Sequence, residues 1–196
     1  MEKSLNNFYE LIHKTVPYLN SDYGKTLTEA IIHYKPTRIL EFGSGVGFTT
    51  LHLALGCYVN GFGNVYTHDI FETQSTGIFR QFSQREFLNN IKKIPELANH
   101  IQSNILDYNV WLESSDFNFD FIYIDVNNDG DKILKIYEKL HVLENKGKIL
   151  LFEGGHPERG SRKYKNVTQI HNPRVQEITK HELIYHKEPG IIKIIL

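Results

Sequence analysis

The fold of this protein is decided by residues 38–54, RILEFGSGVGFTTLHLA. The run RILEF has the apolar pattern of a buried strand, and it leads into three glycines at alternate positions, Gly43, Gly45 and Gly47. A helical pattern follows directly. A strand that passes through a glycine-rich turn into a helix is typical of ligand-binding α/β folds, because glycine permits the turn and lets a ligand approach the main chain. The helix then presents unpaired N–H groups towards that ligand.

The spacing of the glycines narrows the kind of ligand. The dinucleotide pattern G-x-G-x-x-G needs a glycine at position 48, where Phe48 stands. Glu41, two residues before the first glycine, would repel a pyrophosphate and suits a cationic or hydroxyl-bearing ligand. A tight structural turn without a ligand is the alternative interpretation.

The rest of the chain alternates helical patterns with short β-branched or aromatic runs, as parallel α/β sheets do. The predicted helices are residues 5–19, 24–34, 48–55, 80–94 and 131–143, with a loop over 56–64. The predicted strands are 38–42, 65–69, 100–103, 120–125 and 148–153, followed by an antiparallel hairpin in 181–196. We therefore predict a Rossmann-like three-layer α/β sandwich with a mostly parallel seven-stranded sheet and an antiparallel C-terminal strand.

Composition excludes several classes of protein. The chain has 196 residues and a net charge of -1, so it lacks the dominant basic field of many nucleic-acid binders. Its single cysteine, Cys57, excludes an intramolecular disulfide framework. Neither an N-terminal signal pattern nor an apolar run of membrane-spanning length occurs. These features predict one cytoplasmic domain over residues 1–196, with N-terminal helices in 1–34 and no membrane or nucleic-acid partner.

The run E-F-G-S-G-V-G resembles motif I of the class I S-adenosylmethionine-dependent methyltransferases, and the resemblance extends from about residue 24 to 196. Asp69 ends the second strand, where that family places an acid on the ribose hydroxyls. Asp125 ends the fourth strand and matches a motif near the methyl-transfer site. The terminal strand pair distinguishes the family from dinucleotide-binding domains. Within the family, the chain is most similar to small-molecule O-methyltransferases.

The resemblance implies a set of residues that bind S-adenosyl-L-methionine. They are Glu41, Gly43, Ser44, Gly45, Gly47, Asp69, Asn104, Ile105 and Asp125. Asp69 has an alternative interpretation as a strand-end turn residue. Asp107, also near the expected adenine position, is equally a candidate helix cap.

The reacting centre is predicted at Asp125 and His156. His156 follows the fifth strand in a glycine-rich loop, where a general base for a hydroxyl acceptor would be useful; an ordinary surface histidine is the alternative. The loop, residues 154–174, is predicted to select the substrate. Its basic residues either hold an acidic acceptor or form a solvated rim; they are Arg159, Arg162, Lys163 and Lys165.

A metal-free site is favoured over a divalent-metal site. Metal-binding relatives carry an IDGDH-type run after the fourth strand, and here only Asp125 of its acids is kept. Glu153-Gly154 stands where those relatives place an Asp-Asn pair. The oxygen ligands left for a hard cation are Asp125, Glu153, Asn127 and Asp129.

Three functions follow as hypotheses. The leading one is transfer of a methyl group from S-adenosylmethionine to a small-molecule acceptor, at oxygen. A nicotinamide-dependent oxidoreductase is the second, and Glu41, Phe48 and the terminal hairpin argue against it. A module that binds the cofactor without transferring its methyl group is the third. The sequence names neither the acceptor nor the oligomeric state.

Overall fold

The computed structural model describes residues 2–17, 21–71, 83–113, 118–126, 130–142, 148–153, 161–164, 167–170, 178, 181–187 and 190–196. Its helices are α1 (Glu2–Thr15), α2 (Ser21–Tyr34), α3 (Phe48–Asn60), α4 (Gln84–Ile91), α5 (Pro95–Ala98), α6 (Tyr108–Glu113) and α7 (Gly130–Val142). Its strands are β1 (Arg38–Phe42), β2 (Asn64–Asp69), β3 (Ile101–Ile105), β4 (Phe121–Ile124), β5 (Ile149–Glu153), β6 (Ser161–Tyr164), β7 (Val167–Ile170), β8 (His181–Tyr185) and β9 (Ile191–Ile195). No described helix is both long enough and apolar enough to cross a membrane.

Seven strands form one sheet in the order β3-β2-β1-β4-β5-β9-β8. The pairs β1/β2, β2/β3 and β4/β5 are parallel, whereas β9 runs antiparallel to both β5 and β8. The predicted mostly parallel seven-stranded sheet with an antiparallel C-terminal strand is therefore confirmed. The chain divides into two compact units, Met1–Asp107 and Tyr108–Leu196.

In the second unit, part of the predicted substrate loop is regular. Strands β6 and β7 pair antiparallel as a separate two-stranded sheet, with Ser161 opposite Ile170. The rest of that loop, residues 154–160, 165–166 and 171–174, lies outside the described residues. The core strands β4 and β5 are buried along their whole length, as their apolar runs predict.

The predicted loop over 56–64 is wrong, because α3 continues to Asn60 and β2 begins at Asn64. Gly56 is a packing position of the helix: a Cβ there would lie 2.4 Å from Ile31 Cβ of α2. The helix ends at Gly61, which has a left-handed φ of 76° and donates its N–H to the Tyr58 carbonyl. The other predicted elements are present with shifted ends; for example, the helix predicted over 80–94 is described as Gln84–Ile91.

A second glycine brings α2 and α3 together. A Cβ on Gly24 would lie 2.2 Å from Cδ2 of the buried His52 ring. The Thr28 hydroxyl holds that histidine by donating to its backbone carbonyl at 2.9 Å, and it lies 3.0 Å from Nδ1. Close approach of these helices therefore depends on a missing side chain.

Replacing Gly24 with alanine should lower the free energy of unfolding by about 1–3 kcal/mol, because the methyl group overlaps a buried ring and forces the two helices or the ring to shift. Denaturant unfolding measures the change. In the double variant Gly24→Ala/His52→Ala the methyl group enters space vacated by the ring, so the loss should be smaller than the sum of the single losses. Strictly additive losses would contradict this packing.

Candidate functional site

The glycine turn connects β1 to α3 in the first unit. Gly43, Gly45 and Gly47 have φ values of 95°, 51° and 98°, a region that side chains with a Cβ rarely adopt. The Gly43 N–H donates to the His68 carbonyl at 2.9 Å, which fixes the turn to the end of β2. Gly47 precedes α3 without a side-chain cap, so the helix N-terminus keeps its capacity to bind a ligand.

Asp69 ties the end of β2 to this turn. One carboxylate oxygen, Oδ2, accepts the Gly45 N–H at 2.8 Å, and Oδ1 accepts the Phe71 N–H at the same distance. Each carboxylate oxygen has more than one acceptor position, so Asp69 keeps the capacity to accept further hydrogen bonds. The carboxylate is partly exposed.

Glu41 lies at the centre of a buried polar cluster. It is fully buried, and its Oε1 accepts the Thr49 hydroxyl at 2.6 Å. Its Oε2 accepts the hydroxyls of Thr50 and Thr67, each at 2.5 Å. The Ser44 hydroxyl lies 2.5 Å from that of Thr67. We call Glu41, Ser44, Thr49, Thr50 and Thr67 the hydroxyl cluster.

Burial raises the pKa of Glu41 to about 7. The three threonine hydrogen bonds oppose this rise, and the nearby Asp69 carboxylate adds to it. Because Glu41 is fully buried among threonine hydroxyls, whereas Asp69 is partly exposed, the structure places this predicted cofactor contact behind the glycine turn. Glu41 supports the turn in two ways: through Thr67, which contacts Ser44, and through Thr49 and Thr50 at the start of α3.

Glu41 should make the protein less stable as the pH rises. Its pKa is about 7 in the folded state and 4.5 when unperturbed. Between these values the folded state binds more protons than the unfolded state, so the free energy of unfolding falls as the pH rises. Glu41→Gln imitates the protonated acid and removes this loss. Between about pH 4.5 and about pH 7, the free energy of unfolding of the parent should fall by about 3 kcal/mol relative to the variant.

Chemical denaturation of both proteins at a series of pH values measures that difference. The buried His52, whose pKa is lowered to about 3 mainly by burial, contributes the opposite slope at acid pH. It is present in both proteins and cancels. A pH-independent difference would show that folding does not raise the pKa of Glu41.

The structure brings most of the predicted cofactor residues to one edge of the first unit. The register pairs Phe42 with His68 and His68 with Asn104, and it pairs Asp69 with Ile105. The carboxyl ends of β1, β2 and β3 therefore lie side by side. Asn104 is exposed, and Ile105 is 49% exposed although it is apolar.

The predicted reacting centre belongs to the second unit. Asp125 directly follows β4 and is partly buried, and Glu153 ends β5 and is buried. His156, Asn127, Asp129, Arg159 and Lys165 lie outside the described residues. Among the residues described, no three acidic, histidine or cysteine side chains form a group able to hold a metal ion.

The prediction from sequence missed the threonines that surround Glu41. From the sequence, Thr49 and Thr50 are only part of a helical pattern and Thr67 is part of a strand. Glu41 itself is the signal that could have found them, because a carboxylate on a mostly buried strand requires hydrogen-bond donors. Thr67 is identified by the pairing of Glu41 with it across β1 and β2, which a single sequence does not show.

Comparison with models of protein families identifies the family that has this arrangement of strand, turn and helix. Residues 40–153, more than half of the chain, match the family described as Methyltransferase domain. The chain belongs to this methyltransferase family. The match begins in β1 and ends in β5, so it includes the glycine turn, Asp69 and Asp125 of this methyltransferase.

Solved structures agree with the fold. An O-methyltransferase from Bacillus cereus in complex with S-adenosylhomocysteine is similar with a TM-score of 0.62 and 18% identity, over 99% of this chain and 91% of that one. The O-methyltransferase TomG from Streptomyces achromogenes, in complex with S-adenosylmethionine, has a TM-score of 0.58 and 16% identity, over 97% and 88%. A methyltransferase from Geobacter sulfurreducens has a TM-score of 0.59 and 12% identity, over 97% of this chain and 86% of that one. Among curated protein sequences, none matches the chain.

Proposed function

We propose that this methyltransferase transfers a methyl group from S-adenosylmethionine to an oxygen atom of a small molecule. The observation that carries the proposal is the bond from the Gly45 N–H to Asp69 Oδ2, at 2.8 Å. This hydrogen bond connects two features: a turn whose main chain is open to a ligand, and a carboxylate that is able to accept hydrogen bonds from hydroxyl groups. This pairing suits a nucleoside with a cationic tail better than it suits a pyrophosphate.

The residues present fit the adenosine part of this cofactor. Asp69 is proposed to accept the ribose hydroxyls, since charge-assisted hydrogen bonds to a carboxylate are the strong ones. Ile105, opposite Asp69 in the register, offers an exposed apolar surface on which a purine ring would bury area. Gly43 and Gly45 are proposed to leave the main chain open to the rest of the ligand.

The neighbouring structures support the same cofactor and acceptor atom. The Bacillus cereus and Streptomyces achromogenes proteins are both O-methyltransferases, one bound to S-adenosylhomocysteine and the other to S-adenosylmethionine. This chain carries a glycine turn and strand-end acid suited to such a ligand. For its location we propose the cytoplasm, which the buried free thiol of Cys57 fits because it needs no oxidising compartment.

S-adenosylmethionine supplies an electrophilic methyl group on a sulfonium. The chain must hold the acceptor in line with that group and remove its proton. We propose that Asp125 orients the acceptor and stabilises positive charge, and that His156 takes the proton. The site is proposed to be metal-free, since the sequence lacks most of the acids of the metal-binding run.

Transfer of a labelled methyl group from S-adenosylmethionine to a panel of small phenols, alcohols and acids tests the proposal. We expect label in at least one O-methylated product, together with S-adenosylhomocysteine. A folded protein that binds S-adenosylhomocysteine and labels no acceptor would instead favour the module that binds without transfer. Transfer only to nitrogen or carbon atoms would contradict the proposed acceptor atom.

A further inference from the structure

The order of donors and acceptors in the hydroxyl cluster follows from the number of hydrogens that each hydroxyl can donate. A hydroxyl has one hydrogen to donate. Thr67 donates its hydrogen to Glu41 Oε2, so in the 2.5 Å contact between Thr67 and Ser44 the donor must be Ser44. With Glu41 ionised, hydrogen bonds therefore run from Ser44 to Thr67 to Glu41. The lone pairs of Ser44 then remain for other partners.

We propose that Thr67 transmits the protonation state of Glu41 to the Ser44 hydroxyl, and thereby makes the affinity for the cofactor depend on pH. Glu41 and Thr67 act as positioning residues, because both are fully buried behind the glycine turn. Ser44 is also buried, but it belongs to the turn itself. The inference rests on the proposed function, since it requires the cofactor to bind at Gly43–Gly45.

Protonation of Glu41 reverses the hydrogen-bond chain. One proton from solvent binds Oε2 and is donated to the Thr67 oxygen. The Thr67 hydroxyl group rotates and donates its hydrogen bond to the Ser44 oxygen. The hydroxyl hydrogen of Ser44 then points away from Thr67. No other atom gains or loses a proton. Ser44 thus changes from a group that offers lone pairs at the turn to one that offers a hydrogen.

Thr67 is the hydroxyl through which the change is transmitted. Three threonines donate to Glu41, and an added proton must displace one of them. For the displaced hydrogen of Thr67, the structure provides a second acceptor in Ser44 at 2.5 Å. Among the described residues it shows no such second acceptor for the hydroxyls of Thr49 and Thr50.

The charged and titratable groups around Glu41 favour titration near neutral pH. Asp69 on β2 adds to the burial that raises the pKa of Glu41 to about 7. On α3, burial lowers the pKa of His52 and raises that of Cys57, so both stay neutral near that pH. On β2, burial also lowers the pKa of His68, which pairs with Phe42 rather than with Glu41. None of these histidines supplies a compensating positive charge.

Affinity should increase as Glu41 ionises. The ionised state gives the turn a nearby negative charge and leaves Ser44 as an acceptor, and both favour the ammonium group of the ligand's amino-acid tail. Calorimetric titration with S-adenosylhomocysteine from about pH 6 to about pH 8 should show Kd falling roughly threefold or more. Ionisation of the ligand itself affects every variant alike.

Two matched variants separate the hydrogen-bond chain from the charge. Thr50 and Thr67 are both fully buried and both donate to Oε2 at 2.5 Å, but only Thr67 contacts Ser44. Thr50→Val should keep the dependence of Kd on pH, with its midpoint at higher pH because one donor to the carboxylate is lost. Thr67→Val should reduce the size of that dependence to the part that the Glu41 charge causes alone, and so should Ser44→Ala, which removes the last hydroxyl of the chain. Circular dichroism confirms that each variant is folded.

The possible outcomes separate two claims, the transmission through Thr67 and the proposed function. Equal pH dependence in Thr67→Val and Thr50→Val would overturn the transmission, because Glu41 would then act through its charge alone. A parent Kd that is flat or rises with pH would also overturn it, while leaving the proposed cofactor intact. A folded parent that binds no S-adenosylhomocysteine at any of these pH values would overturn the proposed function, and this inference with it.

Discussion

Replacing Gly45 with valine is expected to weaken binding of S-adenosylhomocysteine by roughly 100-fold or more, equivalent to about 2.7 kcal/mol. Gly45 has a φ of 51°, which a β-branched residue adopts only under strain. Its N–H also donates to Asp69, so distortion of the turn moves the proposed ribose-binding carboxylate. The valine side chain further blocks approach to the main chain. Calorimetry on the purified variant measures the loss.

Gly61→Val is the matched control for strain. Gly61 also has a left-handed φ, of 76°, but a Cβ there meets no atom within 4 Å and the residue lies at the opposite end of α3. This control should lose stability while keeping the parent Kd. If Gly45→Val binds the ligand as tightly as Gly61→Val does, the assigned pocket is wrong.

Asp69→Asn is expected to raise the Kd for S-adenosylhomocysteine roughly 10- to 100-fold, since hydrogen bonds to charged groups contribute about 1.5–3 kcal/mol. Asparagine keeps the shape but has one accepting oxygen in place of two. That oxygen cannot serve Gly45, Phe71 and two ribose hydroxyls together. The variant therefore tests both the position and the acceptor role of the carboxylate.

Asp22→Asn controls for the loss of a negative charge. Asp22 lies on α2, where its exposed carboxylate pairs with Lys25 at 3.5 Å. It should leave Kd within experimental error of the parent value. An Asp69→Asn protein with unchanged affinity would return Asp69 to the alternative interpretation, a turn residue at the end of a strand.

The glycine turn was predictable from sequence because its requirements are local. Three positions need positive φ, and glycine is the residue that meets this need without strain. The strand before it and the start of the helix after it were equally predictable, because each carries its own hydrophobic period. The sheet order then follows from rules of connection that small α/β domains share.

The environment of Glu41 was not predictable in this way. Glu41 and Phe42 are adjacent on β1, and which of them faces Thr67 depends on the register with β2. That register is a non-local property of two strands. The end of α3 was not predictable for a related reason: glycine disfavours a helix interior, and the reason for it at position 56 is the close approach of Ile31 on α2, which would lie 2.4 Å from a Cβ there.

The most direct test of the account is a calorimetric titration of the parent protein with S-adenosylhomocysteine and, in parallel, with NAD. Glu41 behind the turn and Phe48 in place of a third spaced glycine argue against a pyrophosphate, whereas Asp69 and the open main chain at Gly45 favour an adenosine with a cationic tail. We predict saturable binding of one S-adenosylhomocysteine per chain and no measurable binding of NAD. Binding of NAD without binding of S-adenosylhomocysteine would contradict the account.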